Sequence, residues 1–311
     1  MPRWCFSLAF CLLPGLATAA SLTVAPGQSI AAALRRMSSG DTLTIQAGTY
    51  AENNLQPPSG STVQGAGSVI IRPTGGTDVG FALSSNVTIR NLKVDGSGGG
   101  ISYGIRIMGQ DNLVENVEVA NVQNQGIAMY CASGNHGGCG HGGNTLRNDH
   151  VHGSGSGGCH GTTAQDGYCH GVYSYSDDNV IDGGEFDHNN GWGIQTYGAH
   201  LTVSNANVHD NRSGGIVASG TAVQVTHALV IDNDPSGNNG GVWVGDGSTL
   251  RDVTIRARAN AIVGGGVQRD NVQINGEGGS GAHLDLRASV SASVQVSTPP
   301  APRNLRVISL P

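Results

Sequence analysis

Apolar residues return along this chain in a fixed rhythm behind a glycine. The segments are Gly104-Ile105-Arg106-Ile107, Gly126-Ile127-Ala128-Met129, Gly171-Val172-Tyr173-Ser174, Gly193-Ile194-Gln195-Thr196, Gly215-Ile216-Val217-Ala218 and Gly241-Val242-Trp243-Val244. The steps between these glycines are 22, 45, 22, 22 and 26 residues. Laying 171–192 over 193–214 places Val172, Ile181 and Phe186 on Ile194, Val203 and Val208. The next repeat continues the columns with Ile216, Val225 and Val230, and an earlier one supplies Ile105, Val114 and Val119. Three apolar columns per repeat predict three short strands per turn, each stacked on its counterpart about 4.8 Å away. Units that cannot bury their own apolar side must stack. The expected fold is all-β: a single-stranded parallel β-helix with about 22 residues per coil.

The flanks of the repeat follow from the same reading. Asn189, Asn211 and Asn233 fall in one column after the third strand and predict a structural ladder, since asparagine tolerates left-handed backbone and bonds neighbouring peptides. Asp187, His188, His209, Asp210 and Asp232 beside it read as bend and surface residues. Ahead of the coils, Leu22-Thr23-Val24 predicts a strand. Ser29 is a candidate N-cap for a helix with Ile30, Ala33, Leu34 and Met37 on one apolar face, and this 21–50 segment would plug the open end of the solenoid. Pro299-Pro300-Ala301-Pro302 ends the pattern, which leaves a domain of 21–296 and a tail of 297–311. Residues 1–20, with Arg3, an apolar run from Phe6 to Leu16 and small residues up to Ala20, read as an export signal. The expected location is therefore secreted or periplasmic, with no membrane association once the signal is removed.

Composition sharpens the class. Gly is 50 of 311 residues, aromatics are 5% and charged residues 12%, a mixture suited to short strands and tight turns. The net charge is −6 and Lys93 is the one lysine, which argues against nonspecific binding to nucleic acid or anionic membranes. A monomer is expected, and an anionic polysaccharide partner held by a few arginines or a bound cation stays open.

The step of 45 residues holds two insertions. Asn144-Thr145-Leu146-Arg147 matches Asn179-Val180-Ile181-Asp182, and Asp149-His150-Val151-His152 matches the third strand of the following coil. The extra residues fall in 131–143 and 154–170, loops that would wall a groove over the first-strand sheet. Four cysteines lie in these walls, and proximity predicts disulfides Cys131 with Cys139 and Cys159 with Cys169. The rival is a zinc site joining them to His136, His141 or His160. The cysteine spacings lack a zinc pattern and export favours oxidation, so no metal ligand is assigned. Side chains alternate along a strand, so His170, Tyr173 and Tyr175 should lean toward solvent opposite Val172. Arg106, Tyr130, Trp192, Gln195, Tyr197 and Trp243 share those outward columns, and aromatic rings with polar rims suit stacking on sugars.

The segment Gly40-Asp41-Thr42-Leu43-Thr44-Ile45, continuing through Gly48-Thr49-Tyr50 to Glu52, resembles a common opening of the right-handed parallel β-helix proteins of the pectate-lyase-like superfamily. So do His170-Gly171-Val172-Tyr173 and Asn189-Asn190-Gly191-Trp192-Gly193-Ile194-Gln195. The resemblance implies a right-handed helix and a carbohydrate-active protein. Motifs of polygalacturonases, pectin esterases and calcium-dependent pectate lyases are missing, and the closest style of site is that of alginate lyases and mannuronan epimerases. There the resemblance implies a histidine that abstracts the sugar C5 proton. His170 is accordingly the candidate base, because an imidazole titrates near working pH. Tyr130, Tyr173, Tyr175 or Tyr197 would donate to the leaving oxygen, and Arg106 or Gln195 would hold the uronate carboxylate. The expected function is a polysaccharide lyase acting by β-elimination on a uronic-acid-containing polymer. The alternatives are a C5-epimerase, a glycoside hydrolase using Asp166 with Asp177, Asp178 or Glu185, or a noncatalytic carbohydrate-binding surface protein. No cofactor is demanded, and calcium stays open without a motif that locates it.

Overall fold

A computed structural model describes residues 18–75, 79–130, 141–156, 169–235 and 240–275. Its strands stack in the register that the repeat predicts. Val172 pairs with Ile127 on one side and Ile194 on the other, Ile181 with Leu146 and Val203, and Phe186 with Val151 and Val208. All these pairings are parallel. Each paired residue is buried, so the three columns close a continuous apolar core along the axis. The 45-residue step is thus a single coil whose second and third strands, Thr145–Arg147 and His150–His152, keep their places despite the extra chain.

The first strands form an eight-stranded sheet, and the second and third strands join in one of 17. The early coils explain the merger. Thr42–Tyr50, Thr62–Ile71, Thr88–Asp95 and Leu113–Ala120 each run through the bend between the second and third columns. Asn91 (φ 58°) and Asn116 (φ 52°) turn the chain inside two of them, which short polar side chains permit. Three strands per coil therefore become two in this part of the molecule.

The asparagine ladder is present, with one correction. Asn189 Nδ2 donates to Asn211 Oδ1 (2.9 Å) and Asn211 Nδ2 to Asn233 Oδ1 (2.9 Å). Their backbones are not left-handed; that conformation belongs to the preceding His188, Asp210 and Asp232. The asparagines are instead buried and satisfy peptide groups at the bend, as buried polar groups must. A second ladder, Asn112 to Asn144 (2.9 Å) to Asn179 (3.2 Å), lines the bend between first and second strands.

At the N-terminal end the helix spans Ile30–Leu34, with Ser29 as N-cap. It is shorter than the apolar face predicts, although Met37 beyond it is still buried. Glu52 completes the cap by accepting from Ile30 N (2.6 Å) and Ala31 N (2.8 Å), where two orphan N–H groups and the helix dipole favour a carboxylate. Residues 1–20, read above as an export signal, lie outside the described residues apart from the last three positions, as does the tail of 297–311. Among the described residues no helix is long and apolar enough to cross a membrane.

Candidate active site on the first-strand face

The first-strand sheet turns one side to the core and the other outward. The outward columns, read along the axis, are Tyr103, Gln125, His170 and Trp192; then Arg106, Ala128, Tyr173, Gln195, Val217 and Trp243; then Tyr130, Tyr175 and Tyr197. The structure brings together the described residues singled out in sequence. Tyr173 is the hub: its ring stacks on His170 (5.4 Å, 11° between planes) and meets Tyr175 (4.9 Å), Tyr130 (6.0 Å) and Tyr197 (6.0 Å) edge-on. Tyr175 stacks between Tyr130 (5.9 Å) and Tyr197 (5.2 Å). Ala128, directly beneath Tyr173, leaves room for these rings.

The hydroxyls are organised as well. Tyr173 donates to the Tyr175 oxygen. Gln195 Nε2 donates to the Tyr197 oxygen (2.8 Å), and the Tyr130 hydroxyl donates to Gln125 Oε1 (2.8 Å). Burial, followed by the neighbouring phenols, pushes Tyr173 and Tyr130 well above the usual tyrosine range, so both keep their protons at any working pH. Arg106 lies with its guanidinium carbon 5.8 Å from the Tyr103 ring centre. Two members of the face escaped the sequence reading, Tyr103 and Gln125. Their signal was available, because both precede the glycine of their repeat as His170 and Trp192 do.

The expectation that these side chains lean into solvent is corrected. Tyr173, Gln195, Trp192 and His170 are all buried; Tyr197, at 41% exposure, is the open edge, and Tyr175, Tyr130, Arg106 and Trp243 lie between. Alternation decides which side of the sheet a side chain takes, but not how deeply its neighbours cover it. For His170 the consequence is chemical. Its Nδ1 accepts the Trp192 N–H (3.0 Å), so the proton resides on Nε2, and burial pushes its pKa down to about 3. Imidazole Nε2, both indole Nε1 atoms of Trp192 and Trp243, and Gln195 Oε1 are buried without a partner. Such groups are costly unless something pairs with them, and three of the four are N–H donors suited to sugar oxygens.

Among the described residues, the carboxylates of the hydrolase alternative, Asp177, Asp178 and Glu185, are not in the strands of this face. The eight described strands of the sheet contain no Asp or Glu. Asp178 sits in a turn, where His141 Nδ1 (3.0 Å) and His200 Nδ1 (3.0 Å) bond it, and His141 Nε2 reaches Asp111 (3.1 Å). Asp177 accepts from Ala199 N (2.7 Å), and Glu185 points from the third-strand sheet to His209. Asp166, Cys131, Cys139, Cys159, His136 and His160 lie outside the described residues, whereas Cys169 is buried beside His170.

Residues 77–262 match the model of the right handed beta helix region family. A search of curated proteins returns no significant match. Solved structures that resemble the chain include an alginate lyase from a Paenibacillus strain (15% identity, TM-score 0.58, over 82% of this chain and 98% of that one). A pectate lyase matches at 15% identity and TM-score 0.59, over 89% of this chain and 82% of that one. A polygalacturonase from Erwinia carotovora matches at 14% and 0.51, over 85% and 82%. At these identities the likeness is one of fold, and different chemistries share it. The family match covers more than half of the sequence, and with the pectate-lyase-like neighbours it establishes that the chain belongs to the right-handed parallel β-helix family.

Proposed function

We propose that this protein is a polysaccharide lyase that cleaves a uronic-acid-containing polymer by β-elimination on the first-strand face. The observation that carries the reading is a face packed with tyrosines, Arg106 among them, whose described strands contain no carboxylate. A hydrolase needs two opposed carboxyl groups; an elimination needs a base, a proton donor and a partner for the uronate carboxylate. The base takes the C5 proton, the electron pair forms the double bond to C4, and the glycosidic oxygen leaves C4 with a proton from a donor.

In this reading the donors are Tyr173 and Tyr130, which are protonated before the reaction begins. The base is Tyr175, whose oxygen accepts the Tyr173 hydrogen bond. His170 is a positioning residue rather than the base, because its Nδ1 lone pair is engaged by Trp192 N–H and its ring backs Tyr173. Arg106 and Gln195 hold the uronate, and Trp192, Tyr197 and Trp243 present rings and N–H groups to neighbouring sugars. The protein works outside the cytoplasm, exported by residues 1–20, with its loops stiffened by the pairs Cys131 with Cys139 and Cys159 with Cys169.

The test is ultraviolet absorbance from unsaturated uronate ends, followed on alginate, pectate, glycosaminoglycans and bacterial uronans, with and without calcium. A rise on one of them that disappears in Tyr175→Phe supports the assignment. New reducing ends without absorbance would make the protein a hydrolase and turn attention to Asp166. Polymer binding without any product would make the face a noncatalytic carbohydrate site.

A further inference from the structure

The outward side of the third-strand column carries different chemistry. Glu118, His150 and Glu185 stand in one row of the sheet, and Ala120, His152, Asp187 and His209 in the next. His150 and His152 are two apart on the strand His150–His152, so both rings emerge on the same side; they stack at 4.3 Å. His152 Nε2 lies 3.0 Å from Glu118 Oε1, which Lys93 Nζ also meets at 2.6 Å. His150 Nε2 lies 2.7 Å from Asp187 Oδ1. One ligand atom from each of Glu118, His150 and His152 falls within 4.8 Å of the other two, and Glu185, Asp187 and His209 form a second such group alongside.

We propose that Glu118, His150 and His152 bind a divalent transition-metal ion of the zinc class. Two imidazoles and a carboxylate are the donor set of a borderline ion that takes nitrogen and oxygen together, whereas calcium or magnesium would call for oxygen donors throughout. A flat strand supplies both histidines without rearranging the chain, and the facing strand Leu113–Ala120 supplies the glutamate. All three side chains are partly exposed, with 36% for Glu118, 40% for His150 and 25% for His152, so an ion can enter from solvent. Bound there, it ties the coil that bears both insertions to the coil before it, on the third-strand sheet rather than the first. The Lys93 ammonium competes for Glu118, and the ion takes the place of the contacts that His152 Nε2 makes with Glu118 and His150 Nε2 with Asp187.

The experiment is zinc titration of the untagged full chain against a chromophoric chelator, with His150→Ala/His152→Ala, Glu118→Gln and His209→Ala compared. The wild type is expected to take up one ion, the double variant to bind on the order of 100-fold more weakly, and Glu118→Gln to weaken binding as well. His209→Ala should bind as the wild type does. Thermal melts in chelator confirm that the variants fold, which the surface position of all four residues favours. No uptake by the wild type overturns the site. Uptake that survives the double variant places the ion elsewhere, for instance at the cysteine loops, and uptake lost only in His209→Ala assigns it to the second group; both overturn the proposal.

Discussion

The first-strand and third-strand faces are built by the same coils in the same register, yet they share almost no chemistry. Over the first strands, phenol and indole rings pack on each other and leave buried N–H groups unpaired. Over the third strands, imidazoles and carboxylates pair throughout: His209 bonds Glu185 (2.8 Å) and Asp210 (2.7 Å), and Asp187 is held by His150 and His188. Burial would raise the Asp187 carboxyl, but those two imidazoles outweigh it and bring it down to about 2. The inward columns must be apolar in every coil to close the core, so they repeat. The outward columns carry no such demand, and each face specialises independently.

The sharpest way to break this contrast is to remove one oxygen. Tyr175→Phe should lower turnover on the responsive uronan by about 10²- to 10⁴-fold while leaving the melting temperature close to wild type, whereas His150→Ala/His152→Ala should leave turnover unchanged. Equal loss in both would merge the two faces into one site. Next in size is the ladder beneath both faces. Asn211 Nδ2 donates to Phe186 O (2.8 Å), His209 O (3.0 Å) and Asn233 Oδ1 (2.9 Å), and its side-chain oxygen accepts from Asn189. Asn211→Ala strands several buried groups and should cost about 3 kcal/mol in chemical denaturation, a loss that a surface ladder would not produce.

How much of this was legible in the sequence depends on spacing. The columns of Val172, Ile181 and Phe186 and the ladder of Asn189, Asn211 and Asn233 recur at 22 residues, and all appear where the repeat places them. The ladder of Asn112, Asn144 and Asn179 did not show because the insertions stretch its steps to 32 and 35 residues. The first-strand face was found residue by residue, but its depth was not, since the cover over Tyr173 and His170 comes from neighbouring rings and chain that alternation does not describe. His150 and His152 were read only as part of the third strand of their coil, by alignment with the strand that follows, and their outward side chains were not considered. The His-x-His spacing on a strand was the missed signal.

Smaller effects refine the contrast. Trp192→Phe keeps an aromatic ring and removes one unpaired N–H from the first-strand face; it should raise KM by about tenfold at most, with kcat little changed. The smallest expected effect concerns His141, at the edge of the insert after Tyr130. Hydrogen bonds donated to the carboxylates of Asp178, and then of Asp111, raise its pKa. Its contribution to stability is therefore present in full below the unfolded histidine value of about 6.5 and is lost as pH rises through the raised folded value. Denaturation midpoints at about pH 5.5 and about pH 9 should differ by slightly more in wild type than in His141→Ala; an identical pH dependence in the two proteins would remove His141 from the account.

The most direct test of the division of labour is a crystal structure with a uronate oligosaccharide soaked in. The account predicts sugar density along Arg106, Tyr173, Tyr175, Gln195 and Tyr197, with the O4 oxygen near the Tyr173 hydroxyl and the C5 hydrogen toward the Tyr175 oxygen. Density over Glu118, His150 and His152 instead would contradict it, because the face assigned to the metal would then be the one that holds the polymer.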